Sequence, residues 1–364
     1  MFSKNNKIST RQVFRLFVFD FVGESTLILP AQLAAFCGSD GLFSILIGGG
    51  LGSLYLWYLS VILRHMETDP ITYMQRTLPG WRQKTILVLL CIHFVGMAGY
   101  GAYIFSDVMK QGLISEESFT LILILVLLMA GYAVCGGIES RARVYEVLFT
   151  ALFLLLAIML VLAVGDLEPA YLQGFFQAKP VTVAKGSLPV FFCLMPLFLV
   201  AFFPSYVQKK KWKSMVHAVH AALWFAIGLL AILYVILLGS FGSRSLATMH
   251  YPAITLMSSI HLRGSFLKRL DAFMIAVWFF TLFALVSVFL FYGQELVQKL
   301  RKKQNGRWPL ILVMVLVFFV AELLHVTDDG EWFRDYLLYI GVPLFLFLPV
   351  VIYLWGKGRK QNET

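Results

Sequence analysis

Ten apolar runs, separated by short polar or charged segments, set the pattern of this chain: 11–36, 41–63, 83–109, 118–135, 144–165, 187–206, 214–240, 270–298, 309–326 and 337–355. About 20 apolar residues in helical form cross a hydrocarbon core of roughly 30 Å. The pattern therefore predicts an all-α integral membrane protein with ten transmembrane helices, and 1–364 reads as a single polytopic membrane domain. Five crossings leave the chain on the side opposite its start. Two halves, about 11–165 and about 187–355, thus permit an inverted 5+5 repeat, although they share no visible residue-level similarity.

Two runs are interrupted. The first contains Asp20-Phe21-Val22-Gly23-Glu24-Ser25-Thr26 between the apolar stretches 13–19 and 27–36. A charged group at mid-membrane costs about 2.5–3.5 kcal/mol, so Asp20 and Glu24 call for a partner, a proton or a cavity. Glycine beside hydroxyl residues also lets a helix open and frees backbone groups for a ligand. The first helix is expected to break at Gly23. Run six carries Pro189, Pro196 and Pro204, and a proline inside a helix costs about 3 kcal/mol or more. A second discontinuity is expected there. Interruptions at matching places in two inverted halves point to a ligand site near the midplane.

Smaller features add local expectations. Ser9 or Thr10 caps the first helix, and Gly48, Gly49, Gly50 and Gly52 allow close helix contact, not phosphate binding. The stretch 67–81 lies at the interface as an amphipathic segment, and 248–269 contains a short helix. His93, Met97 and Tyr100 share one helical face; His93 either lines the site or is satisfied by a neighbouring helix. Glu139, Arg141, Arg143 and Glu146 pair with one another or with other loops on the same side. His217 and His220 read as interfacial packing, Thr281, Ala284 and Val288 as a stripe of small residues, and Glu322 with His325 as a local pair.

Composition agrees with the pattern: 59% of residues are hydrophobic, 14% are charged and the mean hydropathy is +0.80. The net charge of +10 would admit nucleic acid as a partner. Its distribution removes the need. All of the 30 Lys and Arg lie on alternate loops and tails of one side except Lys110, Lys179, Lys185, Arg244, Arg263, Lys268, Arg269 and Arg334. This positive-inside asymmetry puts both termini in the cytoplasm. The basic cluster 209–213 has a place against anionic membrane lipid or a partner subunit. Cys37, Cys91, Cys135 and Cys193 lie singly with no CxxC spacing and read as packing residues. No metal or other cofactor is expected, and the loops offer no nucleophile and base pair, so an enzyme is disfavoured. The first run is too long and too polar at its centre for a cleaved signal, so it is expected to remain as an anchor.

Several motifs in order carry a family resemblance. They are Lys7-Ile8-Ser9-Thr10-Arg11-Gln12 before the first helix, Leu29-Pro30 in it, Gly137-Ile138-Glu139-Ser140-Arg141-Ala142-Arg143 after the fourth, Tyr251-Pro252, and Lys268-Arg269-Leu270-Asp271-Ala272-Phe273 ahead of Trp278. With these the chain resembles the B-subunit, or endospore germination permease, family of spore germinant receptors, within the amino acid, polyamine and organocation transporter superfamily. The resemblance implies a LeuT-like fold with helices 1 and 6 discontinuous, residence in the inner membrane of the spore, and assembly with an A-type membrane subunit and a C-type lipoprotein. It also implies a small-molecule germinant, commonly an amino acid, held between runs one and six and closed in by runs three and eight. On this chain those positions are Val22, Gly23 and Ser25, His93 and Met97, Leu194 and Met195, and Thr281 and Ala284, to which the buried charge adds Glu24. Relatives commonly open the first helix with Gly-x-Gly where this chain has Gly23-Glu24-Ser25. They often carry a glycine and a carboxylate in run six where this chain has Pro196 and Phe198. The alternative function is a stand-alone proton- or cation-coupled amino acid permease with Glu24 as the coupling carboxylate.

Overall fold

The computed structural model describes residues 7–66, 68–172, 174–207, 211–259, 270–301, 306–327 and 330–362. Among them the chain is helical throughout, without a strand. In order it forms α1 (Thr10–Cys37), α2 (Gly41–Met66), α3 (Pro70–Thr77), α4 (Gly80–Gly112), α5 (Phe119–Cys135), α6 (Gly137–Ala163), α7 (Pro180–Cys193), α8 (Trp212–Leu246), α9 (Pro252–Ser259), α10 (Leu270–Arg301), α11 (Trp308–Thr327), α12 (Gly330–Tyr336) and α13 (Val342–Asn362). A 3-10 segment, Met195–Ser205, follows α7, and a π-helical turn, Leu337–Gly341, joins α12 to α13.

Eight stretches are long and apolar enough to cross a membrane. The difference from ten has two causes. α1 and α2 run on as one stretch of 57 residues, Thr10–Met66, while α5 has only 17. A straight helix of that length would measure about 85 Å, far more than one bilayer core. The chain instead turns at Gly38, whose φ of 56° suits glycine.

Ser9 starts α1 with a capping box: its hydroxyl accepts from the Gln12 amide at 3.3 Å, and the Gln12 side chain accepts from the Ser9 amide at 2.9 Å. Contrary to expectation, α1 continues unbroken through Gly23 to Cys37. The hydroxyls keep the local backbone groups occupied. Ser25 Oγ donates to the Phe21 carbonyl and Thr26 Oγ1 to the Val22 carbonyl, both at 2.6 Å. Gly23 serves close approach: a Cβ there would lie 3.0 Å from the backbone of Thr281 and Leu282 on α10.

Run six does break. α7 ends at Cys193, Leu194 takes φ −89°, ψ 7°, and the next 11 residues form the 3-10 segment. Such segments rarely exceed 3–4 residues. Pro196 and Pro204, which lack an N–H to complete an α-helical ladder, account for it. α1 packs against α6, α7, α8 and α10, whereas α4 packs against α5, α10 and α11. The α2 glycines serve packing as predicted: a Cβ on Gly48 would meet Val190 at 2.5 Å, and one on Gly52 would meet Leu194 at 2.8 Å.

The peripheral expectations divide. Asp69 caps α3, accepting from the Thr72 amide at 2.9 Å, with Pro70 in the first turn. α9, which begins at Pro252, is the short helix expected within 248–269. Of the charged hinge, Arg143 pairs with Glu139 inside α6, Arg15 reaches Glu146 at 2.9 Å, and Arg141 crosses to Asp20. His325 stacks on Phe119 with centroids 3.8 Å apart, not on Glu322, whose Oε1 has no hydrogen-bond partner among the described residues. All four cysteines are free; Cys37 and Cys193 are buried, but Cys135 is exposed, so packing does not explain that one. Lys209, Lys210, Arg263 and the Lys268-Arg269 pair lie outside the described residues.

Candidate functional site

Glu24 projects from the middle of α1, is only 9% exposed, and lines a cavity of about 750 Å³. The cavity is walled by α1, α7, Tyr100 of α4 and the segment from α12 through the π turn. Cys193, the last residue of α7, brings its thiol to 3.6 Å from Glu24 Oε1. The carboxylate and the end of α7 thus meet at the base of the cavity. Along α1 the same face continues through Ile28 and Gln32 to Phe36, the i, i+4 repetition of a helix stripe. From Glu24 to Gln32 this stripe rises about 12 Å. Lys185, Asp335 and Tyr339, all exposed, stand at the mouth. An apolar wall with a few charged and polar groups of both signs suits a small polar or zwitterionic molecule.

Of the ten residues expected from sequence, Glu24 alone borders this cavity. Val22, Gly23 and Ser25 lie beside it on α1 but face into packing. The Val22 carbonyl receives the Thr26 hydroxyl, and that hydroxyl accepts from Trp278 Nε1 at 3.0 Å. Thr281 is fully buried behind Gly23, its hydroxyl bonded to the Val277 carbonyl at 2.9 Å. Ala284 contributes its carbonyl to Arg141 at 3.1 Å. Leu194 and Met195 are buried at the α7 break, Leu194 against α2. Both are structural parts of the interruption.

His93 is fully buried on α4, with Nδ1 2.9 Å from the Tyr336 hydroxyl and its ring edge-on to Phe345 at 4.4 Å. The neighbouring segment satisfies Nδ1, whereas Nε2 has no hydrogen-bond partner among the described residues. Met97 is buried on the same helix, and Tyr100 stacks on Phe333 with centroids 4.4 Å apart. His93 and Tyr100 therefore both turn toward α12. Tyr100 itself lines the Glu24 cavity beside Leu337, Leu338 and Tyr339, whereas His93 adjoins those residues only through α12.

Asp20 has the partner its charge demanded. Arg141, near the start of α6, donates one Nη2 bond to Asp20 and another to the Ala284 carbonyl, tying α1, α6 and α10 together. Pairing of this kind is what makes a buried charge tolerable. The two residues are 121 positions apart, so no local pattern could reveal the pair. Cys193 and Lys185 were equally hidden, because the part each plays depends on how α7 meets α1.

Comparison with solved structures gives the class first. The chain superposes on Mhp1, a nucleobase-cation-symport-1 family transporter in a closed conformation with bromovinylhydantoin bound, with a TM-score of 0.59, 10% identity, and coverage of 88% of this chain and 75% of that one. A manganese transporter of Eremococcus coleocola, solved as a point mutant, gives a TM-score of 0.56 at 11% identity, covering 95% of this chain and 74% of that one. The fold is that of LeuT-type integral membrane transporters. Residues 7–329 match the spore permease family, described as spore germination protein, and the chain belongs to that family. Spore germination protein A2 of Bacillus subtilis (strain 168) is 24% identical over 370 residues, spanning 98% of each chain. Spore germination protein KB of the same organism is 26% identical over 379 residues, spanning 98% of this chain and 97% of the relative. Family and fold are those of membrane permeases, not enzymes.

Proposed function

We propose that this chain is the B subunit of a spore germinant receptor, which binds a small nutrient germinant, an amino acid, near mid-membrane and signals to A-type and C-type partner subunits in the spore inner membrane. One observation carries the reading: a buried carboxylate at the broken end of α7 forms the base of a cavity of about 750 Å³. Glu24 meets the ammonium group of the ligand, and the α7 break is the part able to shift. Ligand binding favours one arrangement of α1 and α7 over another, by no more than its differential affinity for the two. Both termini face the cytoplasm in this reading, in keeping with the basic asymmetry of the loops.

The test is germination of spores carrying Glu24→Gln, measured as a dose response to amino acids with the protein level checked by immunoblot. The expected result is a response weakened by about tenfold or more, as for loss of one charge-assisted contact, at normal protein level. His93→Ala is expected to act more weakly, through the α12 contact. An unchanged dose response in Glu24→Gln would overturn the site. The transporter fold supports the second reading, a stand-alone proton- or cation-coupled permease with Glu24 as coupling group. Uptake of labelled amino acid by the purified chain in liposomes, driven by an ion gradient, would select it.

A further inference from the structure

A second cavity, of about 760 Å³, lies between α5, α6 and α10, away from Glu24. Its wall is apolar and opens at Leu128, Met129, Tyr132 and Val144, all exposed. Leu128, Met129 and Tyr132 lie on the apolar helix α5 and Val144 on α6, which is of membrane-crossing length and apolarity, so this exposed apolar face is assigned to the membrane. At the other end stands Arg141, 9% exposed, its guanidinium 5.2 Å from the centre of the Tyr145 ring. A guanidinium has five N–H donors. Two bonds from Nη2 go to Asp20 and Ala284, while Nε has no hydrogen-bond partner among the described residues. Beside it begins α6, 27 residues long, whose N-terminus receives no side-chain cap from Gly136. Uncapped first-turn amides carry partial positive charge and favour an anion.

An arginine with one unused donor, uncapped helix amides and an apolar wall open to the membrane match one kind of molecule in which a phosphate and an acyl chain are joined. The cavity lies at the turn between α5 and α6, on the side of the membrane that carries the excess of Lys and Arg, where anionic headgroups are attracted. We propose that it holds one anionic phospholipid, the phosphate on Arg141 Nε and the opening amides of α6, an acyl chain along Met129, Val144 and Phe283. The guanidinium that receives the phosphate is the one that holds Asp20, four residues before Glu24 on α1. Lipid occupancy therefore bears directly on the tie between α1, α6 and α10.

The full chain, purified and delipidated, is mixed with equal phosphatidylglycerol and phosphatidylcholine, and retained lipid is counted by native mass spectrometry. Preferential retention of phosphatidylglycerol, with a raised unfolding temperature, is the expected result. Arg141→Lys keeps a cation for Asp20 but loses the planar fork, and retention is expected to fall about tenfold. Val144→Trp fills the apolar wall without touching the ion pair and is expected to lower retention to a similar degree, even if Arg141→Lys fails to fold. Equal retention of the two lipids by the wild type overturns the proposal, as does undiminished retention by Val144→Trp. Inorganic phosphate that stabilises the chain as well as phosphatidylglycerol does would assign the site to a free anion and overturn the lipid.

Discussion

At the residue scale, the two carboxylates of α1 have taken different paths. Asp20 is neutralised by Arg141 and belongs to the framework, whereas Glu24 has, among the described residues, the Cys193 thiol as its hydrogen-bond partner and borders open space. Removing one member of a buried ion pair strands the other and typically costs about 3–5 kcal/mol. Arg141→Gln and Asp20→Asn are each expected to destabilise the purified protein by about that amount. Replacing both, as Asp20→Asn with Arg141→Gln, is expected to recover a large part, measured as a double-mutant cycle of denaturation free energies in detergent. Additive losses in the two single variants would show that the pair contributes nothing jointly. Glu24→Gln, by contrast, is expected to leave stability unchanged or slightly improved, because a neutral amide is easier to bury than a carboxylate without a cation. That contrast separates the framework charge from the charge proposed to meet the ligand.

At the element scale, both interruptions looked alike in sequence but only one is present. A glycine beside hydroxyls is compatible with an opened helix, yet Ser25 and Thr26 bond back to carbonyls of the same helix and α10 packs onto Gly23. Proline allows no such choice, since its missing donor is covalent, and the chain after α7 leaves the α-helical ladder. Gly23→Ala tests the packing role. Alanine gains about 1 kcal/mol of helix propensity over glycine. The new Cβ, however, meets backbone that cannot rotate away, at 3.0 Å, and overpacking of this kind costs about 1–3 kcal/mol. A lowered unfolding temperature is expected. Gly50→Ala is its control: a Cβ there meets nothing within 4 Å, so the unfolding temperature is expected to hold or rise. Equal behaviour of the two variants would argue against a close α1–α10 contact.

At the scale of the whole molecule, the α1–α6–α10 tie joins distant parts of the chain, while the Glu24 cavity lies between α1, α7 and the α12–π segment. A ligand that draws α7 and α12 together around Glu24 acts on a different set of elements from those Arg141 fastens. Binding and framework thereby share α1. The proposed orientation is open to direct measurement. Single cysteines placed at Lys357 and at Lys185, both exposed, in a background where Cys37, Cys91, Cys135 and Cys193 are serine, are expected to react oppositely with an impermeant thiol reagent. Lys357 should label only in inverted vesicles and Lys185 only in intact cells; labelling of both from one side would reverse or refute the topology.

The sequence by itself determined the membrane class, the helical architecture, the break in run six, a cap at Ser9 or Thr10 and the two charges of α1, because each follows from hydropathy, a missing proline donor, local capping geometry or the presence of an ionisable group. Those causes act within a few residues of one another. Tertiary structure alone decided which charge is paired and which borders an open cavity. It also decided that Gly23 packs instead of opening, that His93 is held by Tyr336, and that Thr281 and Ala284 serve the α1–α10 contact and the Arg141 tie. The physical reason is common to all of them: a buried polar group or a glycine takes its role from the atoms that face it, and here those atoms come from helices many residues away.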